Sequence, residues 1–300
     1  MIFNKLYNSI ANNKKQVIDE VHTNRILNGR LLAEINNQKK SINKLEDVEF
    51  KVFSQWNDDG IIQYLIHHTE IPYKTFVEFG VENYTEANTR FLLLNNNWSG
   101  LIMDGSEENI DYVKNDPIYW KYDLQCKAKF ITVENVNELI ASAGFSEELG
   151  ILHIDIDGND YWIWKAVNVV NPIIVIVEYN AIFGFDKPFT TPYDPTFYRT
   201  NYHYSNLLYG TSLLSICDLA DEKGYDFIGC NSSGNNAYFI RKDKSQNFKK
   251  LSAEQGFSEA KFKESRDKNG HLTFLRYNEK VKSLSGEQVY NTRTKKLETI

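Results

Sequence analysis

The sequence predicts an α/β protein whose core is a Rossmann-like, doubly wound and mostly parallel sheet of seven strands. One observation is an apolar run that ends in Glu78 and Gly80, followed by a second apolar run that ends in Asp104. This is the spacing of a βαβ unit, in which the glycine lets a ligand approach the backbone and the second acid meets ribose hydroxyls. The other observation is that strand and helix patterns alternate along the chain, which is typical of a parallel sheet.

Each element follows from its own pattern. Apolar runs predict five parallel strands, at residues 76–79, 100–103, 130–133, 150–155 and 172–178. Residues 225–230 and 236–241, joined around Gly234, predict a C-terminal hairpin that supplies the antiparallel strand. Helical spacing predicts helices near residues 61–65, 86–95, 136–143, 161–167 and 212–223.

Two extensions flank the domain, which we expect to span residues 49–245. Residues 14–45 contain no Pro and one Gly, and their apolar residues recur at helical spacing, so residues 1–48 are predicted to form a helical extension. The extension either packs on the domain or joins copies of the chain into a homo-oligomer, and the sequence leaves both open. Residues 246–300 are polar and lysine-rich, and they predict an appendage with one strand near residues 272–276.

Composition excludes several classes of function. The chain has 300 residues, 42% of them hydrophobic and 25% charged, as in ordinary globular proteins. Its net charge of −6 and lack of a basic block argue against a nucleic-acid partner. No apolar run is long enough to span a membrane, and the first residues do not resemble a secretion signal. Three widely spaced cysteines indicate free thiols, so we expect a cytoplasmic location.

Acidic residues follow four of the five predicted parallel strands. They are Glu78, Asp104, Asp155 with Asp157, and Glu178. The carboxyl ends of parallel strands meet at one edge of a sheet, where ligands of such folds bind. Because gathered carboxylates repel one another, folding alone gains nothing from this arrangement. A bound cation or a hydroxyl-rich ligand would relieve that cost, so the clustering predicts a binding site.

The order of these acids resembles the class I S-adenosylmethionine-dependent methyltransferases. More narrowly, the chain is similar to FkbM-type sugar O-methyltransferases of bacterial surface-polysaccharide loci over about residues 50–245. The segments that carry the resemblance are Ser54–Ile62, Phe76–Val81, Trp98–Ser106, His153–Trp162, Val177–Asn180, Tyr209–Leu213 and Gly234–Arg241. The resemblance implies a methyltransferase that acts on a sugar hydroxyl, either of a nucleotide-linked sugar or of a capsule or lipopolysaccharide glycan precursor.

The resemblance also implies which residues bind S-adenosylmethionine. Glu78 and Gly80 would border its methionine part, and Asp104 would bind its ribose hydroxyls, with Gly105 and Ser106 shaping the turn. The residues that complete this set are Asn88, which could bridge the turn, and Asp155. The chain departs from the family at Tyr84, where a second glycine often follows the first by four residues.

A second group of residues would bind or activate the hydroxyl group that accepts the methyl group. A sugar hydroxyl is a poor nucleophile, so its methylation needs a base or a Lewis acid. Asp155 or Asp157, with Glu178 and Asn180, resembles the acid, acid and amide that hold Mg²⁺ or another divalent cation in some O-methyltransferases. The same groups could instead hydrogen-bond the substrate without metal. Asp155, Asp157 and His203 are the candidate catalytic residues, and His153 is expected to be a core histidine.

Two other functions remain open from the sequence. Asp155-Ile-Asp157 matches the motif with which glycosyltransferases hold a metal and a nucleotide-sugar, but that reading leaves Glu78, Gly80 and Asp104 unexplained. A non-catalytic scaffold of a polysaccharide-synthesis complex would use the N-terminal helices alone. A nicotinamide dehydrogenase is disfavoured because the full Gly-x-Gly-x-x-Gly pattern is absent.

Overall fold

A seven-stranded sheet forms the centre of the computed structural model, which describes the backbone of residues 2–300 and the side chains of residues 14 and 16–300. The strands of the chain are β1 (Thr75–Phe79), β2 (Ser99–Asp104), β3 (Leu124–Ala128), β4 (Glu147–Ile154), β5 (Val170–Glu178), β6 (Phe189–Thr190), β7 (Tyr225–Cys230), β8 (Asn236–Arg241), β9 (Gln288–Asn291) and β10 (Lys296–Thr299). The main sheet has the order β3-β2-β1-β4-β5-β8-β7. Six of its strands run in one direction, and β8 runs in the opposite direction between β5 and β7. The predicted fold class is therefore confirmed.

Helices cover both faces of the sheet. They are α1 (Ile2–Asn37), α2 (Asp58–His68), α3 (Arg90–Asn96), α4 (Glu107–Asn115), α5 (Ile118–Lys121), α6 (Val136–Ala141), α7 (Asp160–Ala166), α8 (Arg199–Tyr202), α9 (Leu213–Glu222), α10 (Ala253–Gly256) and α11 (Tyr277–Ser283). Alternate residues of β1 enter different cores: Phe76 packs in one apolar cluster, whereas Val77 and Phe79 pack in the other. Because both faces are covered, the central strands read as continuous apolar runs.

The third strand lies earlier than predicted, at Leu124–Ala128 rather than at residues 130–133. β3 is at the edge of the sheet, and only Leu124 of its five residues is buried, so it lacks the apolar run of a central strand. The apolar residues that suggested a strand, Phe130 and Ile131, lie in the loop after β3 and line a cavity.

The C-terminal region is more ordered than predicted. β9 and β10 form a small antiparallel sheet with β6, which lies between β5 and α9 in the chain. The strand expected near residues 272–276 does not form: Leu272 makes only an isolated bridge to Arg266, and Phe274 has a left-handed φ of 50°. The predicted boundary at residue 245 remains a prediction.

The N-terminal extension is one long helix, α1, and it ends at Asn37. Its C-terminal half packs on the domain through Ala33, which belongs to an apolar cluster with Phe50, Val52, Phe53 and Phe91. Among the described residues, none of the helices is long and apolar enough to cross a bilayer.

Candidate functional site

A cavity of about 650 Å³ opens at the carboxyl ends of β1 to β4. Strand order reverses between β1 and β4, and such topological switch points are where doubly wound sheets bind ligands. The volume lies within the usual range for small-molecule sites. Four regions form its walls: the turns after β1 and β2, the loop after β3, the loop after β4, and residues 197–200 together with residues 206, 264 and 266.

Asp104 lies at the end of β2 and faces the cavity with its carboxylate held in place. Its Oδ2 accepts the Glu82 backbone N–H at 2.8 Å, and its Oδ1 accepts the Ser106 backbone N–H at 2.8 Å. Oδ1 also accepts from Asn109 Nδ2 at 3.0 Å. A carboxylate has about four acceptor positions, so a fixed Asp104 can still accept a further donor from the cavity. Gly105 and Ser106 line the same wall, and the Ser106 hydroxyl caps α4.

The turn after β1 requires glycine at its first position. Gly80 has φ of 72°, and a Cβ there would lie 1.7 Å from the Asp155 carbonyl oxygen. The turn backbones after β1 and β4 are therefore in close contact. Tyr84, four residues after Gly80, keeps a left-handed φ of 60°. Its buried ring is held by a 2.9 Å contact between its hydroxyl and Thr89 Oγ1. At the position where the sequence departs from the motif it resembles, Tyr84 therefore retains a backbone conformation that glycine favours.

Glu78 and Asn88 do not line this cavity, although both were predicted to contact the cofactor. The buried Glu78 carboxylate accepts the backbone N–H groups of Asn88 at 2.9 Å and Thr89 at 3.0 Å, at the start of α3. It also contacts His153 Nδ1 at 2.8 Å, and Asn88 Nδ2 lies 3.2 Å from His153 Nε2. Burial alone would raise the pKa of Glu78, but the His153 hydrogen bond and charge keep it below its ordinary value. Glu78 therefore holds α3 to the sheet, and His153 is the core histidine that was expected.

A second group of carboxylates includes Asp155, which lines the cavity, and two buried acids beside it. Asp155, Asp160 and Glu178 each place one carboxylate oxygen within 4.8 Å of the others. Both Asp160 oxygens accept backbone N–H groups, from Ile156 and Gly158, each at 2.9 Å. Among the described residues, Glu178 Oε2 is buried without a hydrogen-bond partner, and so is the Asn159 Oδ1 oxygen. These orphaned acceptors fit a ligand that brings hydrogen-bond donors or a positive charge.

Burial and mutual repulsion perturb the titration of this group. Burial raises the pKa of Asp155 to about 8, and the charge of Asp157 adds to the effect. Burial and the charge of Asp155 raise the pKa of Glu178 well above its ordinary value. Burial also raises the pKa of Asp160, to about 6, against the opposing backbone hydrogen bond from Ile156. Without a bound cation, the cluster therefore retains protons at neutral pH.

Asn180, a predicted metal ligand, has its amide bonded to backbone groups. Its Nδ2 donates to the carbonyl oxygens of Leu207 and Tyr209, each at 2.9 Å, and its Oδ1 accepts the Ile182 N–H at 3.0 Å. Those bonds use the amide to fix the loop after β5. Asp160, which begins α7, is the third acid instead. Two carboxylates of the β4–α7 connection and one at the end of β5 are suitable oxygen donors for a hard divalent cation.

Polar contacts connect the residues of the cavity wall that faces Asp104. Asp157 lies in a loop with φ of 57°, and its Oδ1 pairs with Arg199 NH1 at 2.6 Å. The Arg199 guanidinium stacks over the Tyr209 ring at 3.8 Å and approaches Glu264 Oε2 at 3.9 Å. Glu264 also accepts from Asn206 Nδ2 at 3.1 Å. Sequence reasoning missed Arg199, Asn206 and Glu264, because nothing in the sequence placed the C-terminal segment at the strand ends.

His203, a predicted catalytic base, lies outside the cavity lining. Its buried ring contacts Ser205 Oγ through Nδ1 at 2.7 Å and lies 3.5 Å from Glu287 Oε1 through Nε2. Burial lowers its pKa. These contacts anchor the aromatic loop to the C-terminal region.

No protein-family model and no curated protein matches the sequence. Solved structures align with it at low identity. The N-terminal domain of EvdMO1 with SAH bound has 10% identity and a TM-score of 0.41, covering 63% of this chain and 80% of its own. The O-methyltransferase from Bacillus cereus in complex with SAH has 11% identity and a TM-score of 0.39, covering 72% and 89%. A S-adenosylmethionine-dependent methyltransferase from Clostridium acetobutylicum has 10% identity and a TM-score of 0.39, covering 61% and 90%.

At this level of similarity the alignments carry no functional argument. The sheet and the cavity by themselves define the class of protein: a Rossmann-like α/β protein with a ligand-sized cavity at its topological switch point.

Proposed function

We propose that this protein is an S-adenosylmethionine-dependent O-methyltransferase whose acceptor is a sugar hydroxyl. The observation that carries the proposal is the cavity itself, where a fixed acid after β2 and a glycine turn after β1 face an acid cluster after β4. The first pair suits a nucleoside, and the cluster suits a hydroxylated acceptor whose proton must be removed.

The cofactor would lie along the turns after β1 and β2. Asp104 would accept the ribose hydroxyls, and the left-handed Gly80 would let the cofactor pass close to the backbone. Phe130, whose side chain is 46% exposed in the same wall, offers a ring face for the adenine. Bound there, S-adenosylmethionine would supply an electrophilic methyl group on its sulfonium.

Asp155 is the favoured proton acceptor in this scheme. It lines the cavity, and its pKa of about 8 lies close to neutral pH, where a general base is most effective. Asp157 is engaged with Arg199, so it positions the acceptor wall and influences Asp155 through its charge. The protein's remaining contribution is alignment of the acceptor oxygen with the methyl group.

A divalent cation could take over the role of the retained protons. Asp155, Asp160 and Glu178 would hold it, since they are the residues whose carboxylate oxygens converge. Such an ion would polarise the acceptor oxygen and ease loss of its proton. Asn180 would not take part, because its amide is used in the loop after β5.

The charge of the cavity bears on which sugar is accepted. Five carboxylates and three cationic side chains line it, and the cations Arg199 and Arg266 are already bonded to carboxylates of the protein. An acceptor rich in uncharged hydroxyls therefore fits better than a diphosphate. Of the two predicted substrate classes, a glycan precursor is favoured over a nucleotide-linked sugar unless the diphosphate stays outside the cavity.

The direct test is a methyl-transfer assay read by mass spectrometry, with neutral oligosaccharides and nucleotide-sugars as separate panels. We expect a mass gain of one methyl group on a neutral glycan, lost in Asp155→Asn and kept in Glu108→Gln, an exposed acid outside the cavity. Calorimetry with S-adenosylhomocysteine and with UDP- and GDP-sugars separates this function from its rivals. Binding of a nucleotide-sugar without S-adenosylhomocysteine would replace the proposal with a glycosyltransferase, and binding of neither would favour a scaffold.

A further inference from the structure

One face of helix α1 packs against its own domain. A Cβ on Gly29 would lie 2.5 Å from Val52 Cγ2, so the helix and the domain are in direct contact there. Ala33 is buried in the same interface, and the Asn36 amide donates to the Val48 carbonyl at 2.8 Å. These contacts fix the rotation of the helix about its axis.

Another face of the same helix is apolar and exposed. Val17, Leu31 and Ile35 are 58%, 61% and 51% exposed. Six exposed residues on this face are spaced alternately by four and three, which is the spacing of a coiled-coil seam. The seam residues are Val17, Val21, Asn24, Asn28, Leu31 and Ile35.

The identity of the seam residues indicates a coiled coil of two helices. In heptad notation, Val21, Asn28 and Ile35 occupy a positions, and Val17, Asn24 and Leu31 occupy d positions. β-Branched residues at a with leucine at d favour parallel dimers, and Asn28 at a specifies their register at a cost in stability. In the sequence, the same spacing continues toward the amino terminus through Lys14, Ile10, Tyr7 and Phe3.

The residues beside the seam select the orientation. In a parallel pair each g residue faces the e residue five positions later on the other helix. The facing pairs within α1 are Glu20 with Arg25 and Leu27 with Leu32. An antiparallel pair would instead bring Glu20 opposite Glu34 and Arg25 opposite itself.

We propose that α1 pairs with α1 of a second copy of this chain as a parallel, in-register coiled coil over residues 17–37. The partner is identified by the self-complementary pair Glu20 and Arg25 and by an apolar seam that the chain's own domain leaves exposed. Arg25 also donates to the Val52 carbonyl of its own chain, which holds this side chain between the domain and the seam. The proposal is independent of the methyltransferase function.

Sedimentation equilibrium of the full chain tests the pairing. We expect twice the chain mass of 34.9 kDa for the wild type, and a monomer for Leu31→Glu, which buries a charge at the seam. Thr23→Glu adds the same charge to an exposed position off the seam and should stay dimeric. Thermal unfolding by circular dichroism checks that both variants are folded. A monomeric wild type, or a folded Leu31→Glu that remains dimeric, overturns the proposal.

Two further variants test the orientation. Glu20→Lys should weaken the dimer about tenfold, because a lysine would then face Arg25 in each of two symmetric contacts. Adding Arg25→Glu to it should restore the dimer. An antiparallel dimer would respond to Glu20→Lys in the opposite way, since the introduced lysine would then face Glu34.

Cross-linking gives an independent measurement of register. With Ile35→Cys, mild oxidation should join the two chains in a parallel dimer, and the unmodified protein with its three native cysteines is the control. In an antiparallel dimer the two introduced thiols would be about 27 Å apart along the axis. A dimer that fails to cross-link would overturn the parallel arrangement.

Discussion

Replacing Asp155 by asparagine should make the protein more stable and less active, and the gain in stability should grow with pH. The folded protein retains the Asp155 proton up to about pH 8, whereas the unfolded chain releases it near the ordinary pKa of 3.8. The free energy of unfolding of the wild type therefore falls as pH rises through that window. Asparagine has no proton to lose, so the variant escapes this decrease.

The pKa and the partial burial of Asp155 set the size of the expected gain in unfolding free energy. A shift from 3.8 to about 8 corresponds to about 6 kcal/mol if the carboxylate were shut off from water, at about 1.4 kcal/mol per pH unit. Asp155 faces an open cavity and is only partly buried. Hydration therefore reduces the expected gain to the order of 2 kcal/mol above pH 8, with a smaller gain near pH 5.

Urea unfolding at about pH 5 and about pH 8.5, with EDTA present, measures the difference. Glu108→Gln is the matched control, because this exposed acid lies outside the cavity and the carboxylate cluster, so its loss should give no gain. A gain for Asp155→Asn that is equal at both pH values would refute the titration argument. Destabilisation at the higher pH would refute the claim that the cluster is repulsive.

Three other predictions concern the cofactor side and the cation. Asp104→Ala should weaken S-adenosylhomocysteine binding by about 100-fold, as expected when two charged hydrogen bonds are lost, while Glu108→Ala should leave the calorimetric affinity unchanged. Gly80→Ala should cost about 3 kcal/mol or more in urea unfolding, since its Cβ meets the Asp155 carbonyl, whereas Gly144→Ala has a left-handed φ but open space and should cost about 1 kcal/mol. Added Mg²⁺ should raise the melting temperature of the wild type but not of Asp155→Asn if the cluster binds a cation. An equal response of both proteins would dismiss that site.

The sheet could be predicted because its central strands are buried on both faces and carry unbroken apolar runs. β5 is the clearest case, since eight of its nine residues are buried. β3 was misplaced because an edge strand has a mixed pattern, and β9 and β10 were missed because short polar strands carry almost no signal.

The sequence predicted where the candidate site lies better than it predicted which residues form it. Strand ends locate Asp104 and Asp155, because topology brings them to one edge. The sequence could not distinguish Glu78, whose carboxylate is used at the start of α3, from an acid that faces the cavity. Nor could it place Asp160 in the cluster instead of Asn180, since that depends on which side chain the loop backbone engages.

The contribution of Glu264 and Arg266 to the cavity wall has a consequence for how the protein matures. These residues leave the ribosome well after Gly80 and Asp104. The wall at the ends of β1 and β2 is therefore synthesised before the opposite wall of the cavity. A protein cut after residue 245 would lack Glu264 and Arg266 and would have an incomplete cavity.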